Sequence, residues 1–183
     1  MTITIHHELE QGSDAWLAAR CGLLTASEMK LIVTPTGKTA SNDKARAHLF
    51  ELLAQRISGY VEPAYISDDM LRGREDEVFA RELYAEHYAP VAEVGFITRD
   101  FGAFRIGYSP DGLVGDDGLI EIKSRRQKYQ VQTIIDDEMP ADYEIQVQTG
   151  MLVSGRSHCD FISYSGGLPM AVLRVPADPA MQE

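Results

Sequence analysis

The chain has 183 residues, 44% hydrophobic and 25% charged, which predicts one soluble domain and excludes a disordered chain, a collagen and a coiled coil. No run approaches the ~20 apolar residues of a membrane helix, and the start MTITIHHELEQ lacks a signal-peptide pattern, so a cytoplasmic protein with no membrane partner is expected. Lys and Arg number 17 against 28 Asp and Glu, and the net charge of −11 excludes a uniformly basic surface while leaving room for a local basic groove.

The first half reads helical. Ser13-Asp14 starts a short helix through Trp16, Leu17 and Arg20, with Gly22 after it. Thr25 and Glu28 have capping-box spacing for the next helix, which ends before Pro35. Ser41 opens a long helix with Ala45, Leu49, Leu52, Leu53 and Ile57 at helical spacing and Gly59 as its stop. Ser67 opens another, through Val78, Phe79 and Tyr84. After Pro90 the period becomes two. Residues 91–97, 103–108 and 119–123 read as strands, with a hairpin signal at Gly115-Asp116-Asp117-Gly118. Helices near 127–136 and 141–154 follow, and strands at 161–164 and 171–174 close the sheet. Helices, then a meander, then helix and strand make an α+β or mixed α/β domain.

The chemistry concentrates in Ser109-Pro110-Asp111-Gly112 and Glu121-Ile122-Lys123. Period two puts Glu121 and Lys123 on one strand face. A three-residue hairpin loop would bring Asp111 opposite Glu121, whereas two or four residues without a bulge would turn it away. Two converging carboxylates repel unless one is protonated or a cation lies between them. Oxygen ligands with open positions suit Mg²⁺ or Mn²⁺, and an adjacent lysine can neutralise charge building on a phosphate. The triplet therefore fits metal-dependent phosphodiester hydrolysis. On its own it also reads as a solvated hairpin face with an exposed Glu–Lys pair. The basic run Lys123, Arg125, Arg126, Lys128 is the candidate DNA-backbone contact. Pro35-Thr36-Gly37-Lys38-Thr39 ends like a Walker loop but lacks its first glycine, since position 32 is Ile32.

Further segments carry a resemblance. Trp16, Arg20-Cys21-Gly22, Thr25-Ala26-Ser27, Gly73-Arg74-Glu75-Asp76-Glu77, the SPDG segment at 109–112, Glu121-Ile122-Lys123 and Tyr143-Glu144-Ile145-Gln146 occur in that order. With them the chain resembles the lambda-exonuclease family (YqaJ-type viral recombinases) of the PD-(D/E)XK nuclease superfamily. The resemblance implies a restriction-endonuclease-like core over residues 1–183, a single nuclease domain with a central mixed sheet flanked by helices. It implies Asp111, Glu121, the Ile122 carbonyl and Glu77 as metal ligands, Lys123 as the catalytic lysine, and Tyr143 and Gln146 as supporting catalytic residues. Arg20, Ser27 and Ser109 would hold a 5′ phosphate. Each has a plainer reading: Arg20 as a helix-end charge, Ser27 as a cap, Glu77 as one more solvated acid, Trp16 as core.

The expected activity is a Mg²⁺-dependent 5′→3′ exonuclease on double-stranded DNA ends. It would work as a ring of three beside a single-strand annealing protein. The alternatives are an endonuclease or 3′→5′ nuclease of the same superfamily, or a non-catalytic DNA- or protein-binding module.

Overall fold

The computed structural model describes residues 1–63 and 67–183, and no helix there is long and apolar enough to cross a membrane. Strand β1 (Thr2–His6) lies outside the expected strands, although Thr2-Ile3-Thr4-Ile5 alternates polar and apolar β-branched residues with the period of a strand; four of its five residues are exposed. Helix α1 (Asp14–Arg20) starts at Ser13, whose hydroxyl accepts from Trp16 N, with Asp14 at the positive end of the dipole. The two-residue strand β2 (Leu24–Thr25) leads into a 3₁₀ turn at Ala26–Glu28 and then α2 (Met29–Ile32). The Glu28 carboxylate accepts from the Thr25 N–H at 3.0 Å and the Thr25 hydroxyl at 2.7 Å, as the capping spacing predicts.

Helix α3 (Asp43–Ser58) is capped by Asn42 rather than Ser41, and Gly59 closes it in the left-handed conformation at φ +66°. Its apolar stripe is not core. Ala45 and His48 are buried, while Leu49, Leu53 and Ile57 are exposed. Helix α4 (Asp68–His87) is capped by Ser67 and buries Ala80 and Tyr84. The single strand expected over 91–97 divides into β3 (Val91–Ala92) and β4 (Phe96–Asp100). The break has a steric cause at Gly95, where a Cβ would lie 1.8 Å from the Leu9 carbonyl oxygen. Only glycine lets the segment after β1 cross there.

The strands form two sheets. In the first, β4 lies between β1 and β5 (Arg105–Tyr108), and β5 pairs parallel with β2. The second has the order β3, β6 (Gly112–Val114), β7 (Gly118–Ser124), β8 (His158–Tyr164), β9 (Ala171–Pro176). Strands β7 and β8 are parallel, so the chain crosses over between them through α5 (Gln127–Asp136), a 3₁₀ turn at Ala141–Tyr143 and α6 (Glu144–Ser154). A short α7 (Pro179–Gln182) follows, capped by Asp178.

β7 is buried on both faces. One face joins Leu119 to Val147, Met151 and Phe161; the other joins Ile120 and Ile122 to Ala80, Tyr84 and Ile162. Each fully buried side chain of this size stabilises the fold by about 1.5–3 kcal/mol. The strand bearing the acid–lysine pair is therefore held between α6 and α4.

Candidate active site

The β6–β7 hairpin pairs Gly112 with Ile120, Leu113 with Leu119 and Val114 with Gly118, leaving a three-residue loop at 115–117. The same register carried one step further sets Asp111 across from Glu121. Asp111 Oδ2 accepts from the Ile122 N–H at 2.5 Å. Glu121 is 2% exposed. Its Oε1 accepts from Lys123 Nζ at 2.6 Å and Gln146 Nε2 at 2.5 Å, and its Oε2 from the Tyr108 hydroxyl at 2.9 Å.

Burial pushes the Asp111 carboxyl well above the usual carboxylate range, and the charges of Glu121 and Glu77 push it further. Burial also raises Glu77, opposed by Arg81 and reinforced by Glu121. For Lys123, burial alone would lower the pKa, but Glu121 and Asp111 outweigh it and hold the ammonium above its ordinary range. Burial and then Glu121 drive the Tyr108 phenol up, so it remains a donor. A buried point of negative charge with one lysine fits a hard divalent cation, which would relieve the repulsion that raises Asp111.

Glu77 is close enough for its charge to act on this pair but makes no hydrogen bond to it. Its Oε1 is engaged by Arg81 Nη1 at 3.3 Å, and the same Nη1 reaches the Asp111 carbonyl at 2.8 Å and Glu93 at 3.3 Å. Among the described residues, no three His, Cys, Asp or Glu side chains converge as a closed metal cage. Tyr143 makes no hydrogen bond to the acids: its hydroxyl accepts from Arg125 Nη1 at 2.9 Å, and its ring lies 5.6 Å from Lys123 Nζ. Gln148 diverges from Gln146, as helix geometry requires, and donates to the Pro176 carbonyl at 2.9 Å.

A second cluster lies beside the first. Arg20 Nη1 donates to Ser109 Oγ at 3.2 Å and Nη2 to Thr25 Oγ1 at 3.4 Å, and Thr25 Oγ1 lies 3.2 Å from Ser27 Oγ. The guanidinium stacks 4.3 Å from the Trp16 ring, whose Nε1 donates to Ser109 Oγ at 3.0 Å. Burial lowers the Arg20 pKa, partly offset by Glu28. Arg20, Ser27 and Ser109 are thus gathered from three separate stretches of chain. A cleft of about 690 Å³ is lined by residues 7–12, Trp16, Arg74, Glu77, Arg81 and Pro110; it takes in Trp16 and Glu77 at the margins of the two clusters but not Asp111, Glu121, Lys123 or Arg20.

The basic run divides. Arg125 is half-buried, Lys128 is exposed, and Arg126 is paired with Asp69 at 2.8 Å. On α4, Asp68, Asp69, Glu75, Glu82 and Glu86 are exposed, whereas Asp76 is half-buried and accepts from Ser124 Oγ at 2.5 Å.

Arg81 and Tyr108 join these clusters although no motif marks them, and Thr25, expected as a helix cap, also joins the Arg20 cluster. Arg81 follows Glu77 by four residues, a legible helix pair. Its reach to Asp111, 30 residues away, has no local sign.

The YqaJ-like viral recombinase domain matches residues 15–157. No curated protein matches the chain. Among solved structures, an alkaline exonuclease (LHK-Exo) from Laribacter hongkongensis superposes with a TM-score of 0.79 at 36% identity, over 92% of this chain and 84% of that one. Its complex with dAMP gives 0.81 at 37%, over 92% and 85%. A phage related exonuclease from Haemophilus somnus 129PT gives 0.58 at 15% over 87% and 86%, a likeness of fold alone. The domain match over residues 15–157 and the 36–37% identity to an alkaline exonuclease over 92% of this chain establish that this chain belongs to the YqaJ-like viral recombinase family and is a nuclease of the alkaline-exonuclease type.

Proposed function

We propose that the protein is a Mg²⁺-dependent exonuclease that digests one strand of duplex DNA from its 5′ end, releasing mononucleotides and leaving a 3′ single strand. The observation that carries the direction is the segment Ser109-Pro110-Asp111. Ser109 belongs to the Arg20 cluster and Asp111 to the acid–lysine cluster. Two residues of extended chain span about 6–7 Å, the scale of one nucleotide. A terminal phosphate on Arg20, Ser27 and Ser109 would place the next phosphodiester near Asp111 and Glu121.

Asp111, Glu121 and the Ile122 carbonyl would hold the metal, with Glu77 in reserve on Arg81. Mg²⁺, or Mn²⁺ in its place, supplies Lewis acidity toward the phosphodiester when bound. Lys123, kept protonated by its carboxylate neighbours, offers charge and an N–H to a phosphate oxygen. Gln146 and Tyr108 fix both oxygens of Glu121, and Tyr143 steadies Arg125 beside Lys123. Water adds to phosphorus, the P–O3′ bond breaks, and the departing O3′ takes a proton. The shortened strand then carries a new 5′ phosphate, which suits the same Arg20 pocket for the next cycle.

The family resemblance supports the rest of the proposal: a homotrimeric ring around DNA in the cytoplasm of a bacterial or phage-infected cell, handing its 3′ strand to an annealing protein. The decisive assay uses duplexes with 5′-phosphate or 5′-hydroxyl ends, with Mg²⁺ and then with a chelator. Charge-assisted bonds to phosphate are worth roughly 1.5–3 kcal/mol each, so phosphorylated ends are expected to be digested at least about tenfold faster. Arg20→Ala should erase most of that preference. Equal rates at both ends would turn the assignment to an endonuclease.

A further inference from the structure

An alternating series of side chains leads outward from Lys123. Lys123 Nζ lies 5.6 Å from the centre of the Tyr143 ring. The Arg125 guanidinium lies 5.4 Å from that ring and 5.4 Å from the Tyr129 ring. Lys128 Nζ lies 4.7 Å from the Tyr129 ring. The order is cation, ring, cation, ring, cation, and its inner end is the lysine bonded to Glu121.

The backbone accounts for this order. Lys123 and Arg125 are two residues apart in extended chain, so they share a face. Tyr129 follows in the first turn of α5, and Tyr143 comes from the turn that opens α6. Arg125 is fixed at two points, and a third polar group is left over. Its N–H donates to the Tyr164 carbonyl at 2.7 Å, its Nη1 donates to Tyr143, and its Nε is buried without a hydrogen-bond partner among the described residues. Neither Arg125 nor Lys128 is paired with a carboxylate among the described residues, whereas neighbouring Arg126 is held by Asp69. Tyr129 is 44% exposed, so the outer end is open.

We propose that this series is a track for single-stranded DNA leading away from the acid–lysine cluster, with Tyr129 as a base platform and Arg125 and Lys128 as phosphate partners. It rests on the nuclease reading of Asp111, Glu121 and Lys123. A nucleotide brings one anionic phosphate and one flat base; each step of the series presents one cation and one ring. In the free protein the cations lie over the rings, a weak contact where water competes. A strand gives each cation a phosphate and the outer ring a base, and both exchanges are favourable. Duplex DNA can use the cations only, because its base faces are covered by their neighbours. The ring therefore selects unpaired nucleotides.

The test uses the full chain in chelator, so that nothing is cut, and reads binding by fluorescence anisotropy. The probes are a labelled oligo-dT and an abasic strand of equal length. Wild type is expected to prefer oligo-dT. Tyr129→Ala should weaken oligo-dT binding about tenfold while leaving the abasic strand unchanged, and Tyr129→Trp should retain it. Arg125→Ala should weaken both probes. A wild type that binds the two probes equally overturns the track, whatever the variants do. So does a folded Tyr129→Ala that keeps full oligo-dT affinity or loses both probes alike. Duplex digestion with Mg²⁺ runs alongside. Normal digestion without an oligo-dT preference strikes the track alone; a preserved preference without digestion strikes the nuclease reading alone.

Discussion

One nitrogen of Arg81 serves three oxygens: the Asp111 carbonyl, Glu77 and Glu93. It ties the Pro110–Asp111 turn to α4 and balances acids that would otherwise repel. Arg81→Ala is expected to lower kcat about tenfold or more, since small misplacements of reacting groups are costly. Arg81→Lys should recover part, because an ammonium can reach one or two of the three oxygens. Single-turnover digestion checks both. The acids themselves set stability against function. Asp111 is ionised only against burial and the charges of Glu121 and Glu77. Asp111→Asn removes that repulsion and keeps an oxygen for the Ile122 N–H. It should abolish digestion, as should Lys123→Ala, yet raise the thermal midpoint in chelator by about 2–4 °C for each kcal/mol relieved. Asp111 binds its proton more tightly folded than unfolded. The ionisation penalty is therefore absent at low pH and grows as pH rises above about 4, and the variant's advantage should grow with it. Calorimetry at several pH values reads this directly.

Helix α4, which carries Glu77 and Arg81, is anchored at its other end by a buried carboxylate. Asp160, 3% exposed, accepts from Tyr84 at 2.5 Å and from the Arg174 fork at 2.8 and 2.9 Å. Burial raises the Asp160 pKa, but the bonds from Arg174 and Tyr84 outweigh it, and the net shift is downward. A lowered folded-state value means stability that is present above the unfolded pKa of about 3.9 and lost as pH falls below it. Asp160→Asn should therefore flatten the acid limb of the stability curve. Tyr84→Phe should cost about 1–3 kcal/mol at neutral pH by leaving a carboxylate oxygen short of a donor. Elements of this kind were unevenly legible. The hairpin spacing between Asp111 and Glu121 and the Thr25–Glu28 cap are local, and the sequence shows both. The stripe of Leu49, Leu53 and Ile57 is equally periodic, yet it faces solvent, because periodicity marks a face and not what covers it. Strand β1 is marked by its Thr2-Ile3-Thr4-Ile5 alternation, but nothing local shows that its partner is the distant β4.

At the scale of the whole molecule, a net charge of −11 must coexist with a polyanionic substrate. Arg126 is neutralised by Asp69, and Arg125 carries its charge between two rings. Duplex binding should weaken with salt at a log–log slope of about −0.9 per phosphate neutralised. Arg125→Glu should weaken binding and shorten the tracts digested per encounter more than Arg126→Glu, which only exchanges one ion pair for a repulsion at the rim. Filter binding across a salt series compares them. The site was legible where chemistry and spacing coincide in one stretch, as at 109–123, and where motifs kept family order. It was not legible in Arg81 or Asp76, because a side chain's long-range partner leaves no mark on neighbouring residues.

The pairing of β1 with β4 also sets a schedule. Thr2 to His6 must wait for Asp100 to Phe96. At a ribosome adding about 5–20 residues per second, that is a delay of roughly 5–20 s in which the earlier strand has no partner. The segment just after β1 is one wall of the cleft, with Gln11 donating to the Pro110 carbonyl at 2.9 Å. Gln146 comes later still. A nascent chain therefore can neither dock that wall nor orient Glu121 through Gln146 until most of it has been made, so the acid–lysine cluster is among the last parts of the fold to be assembled.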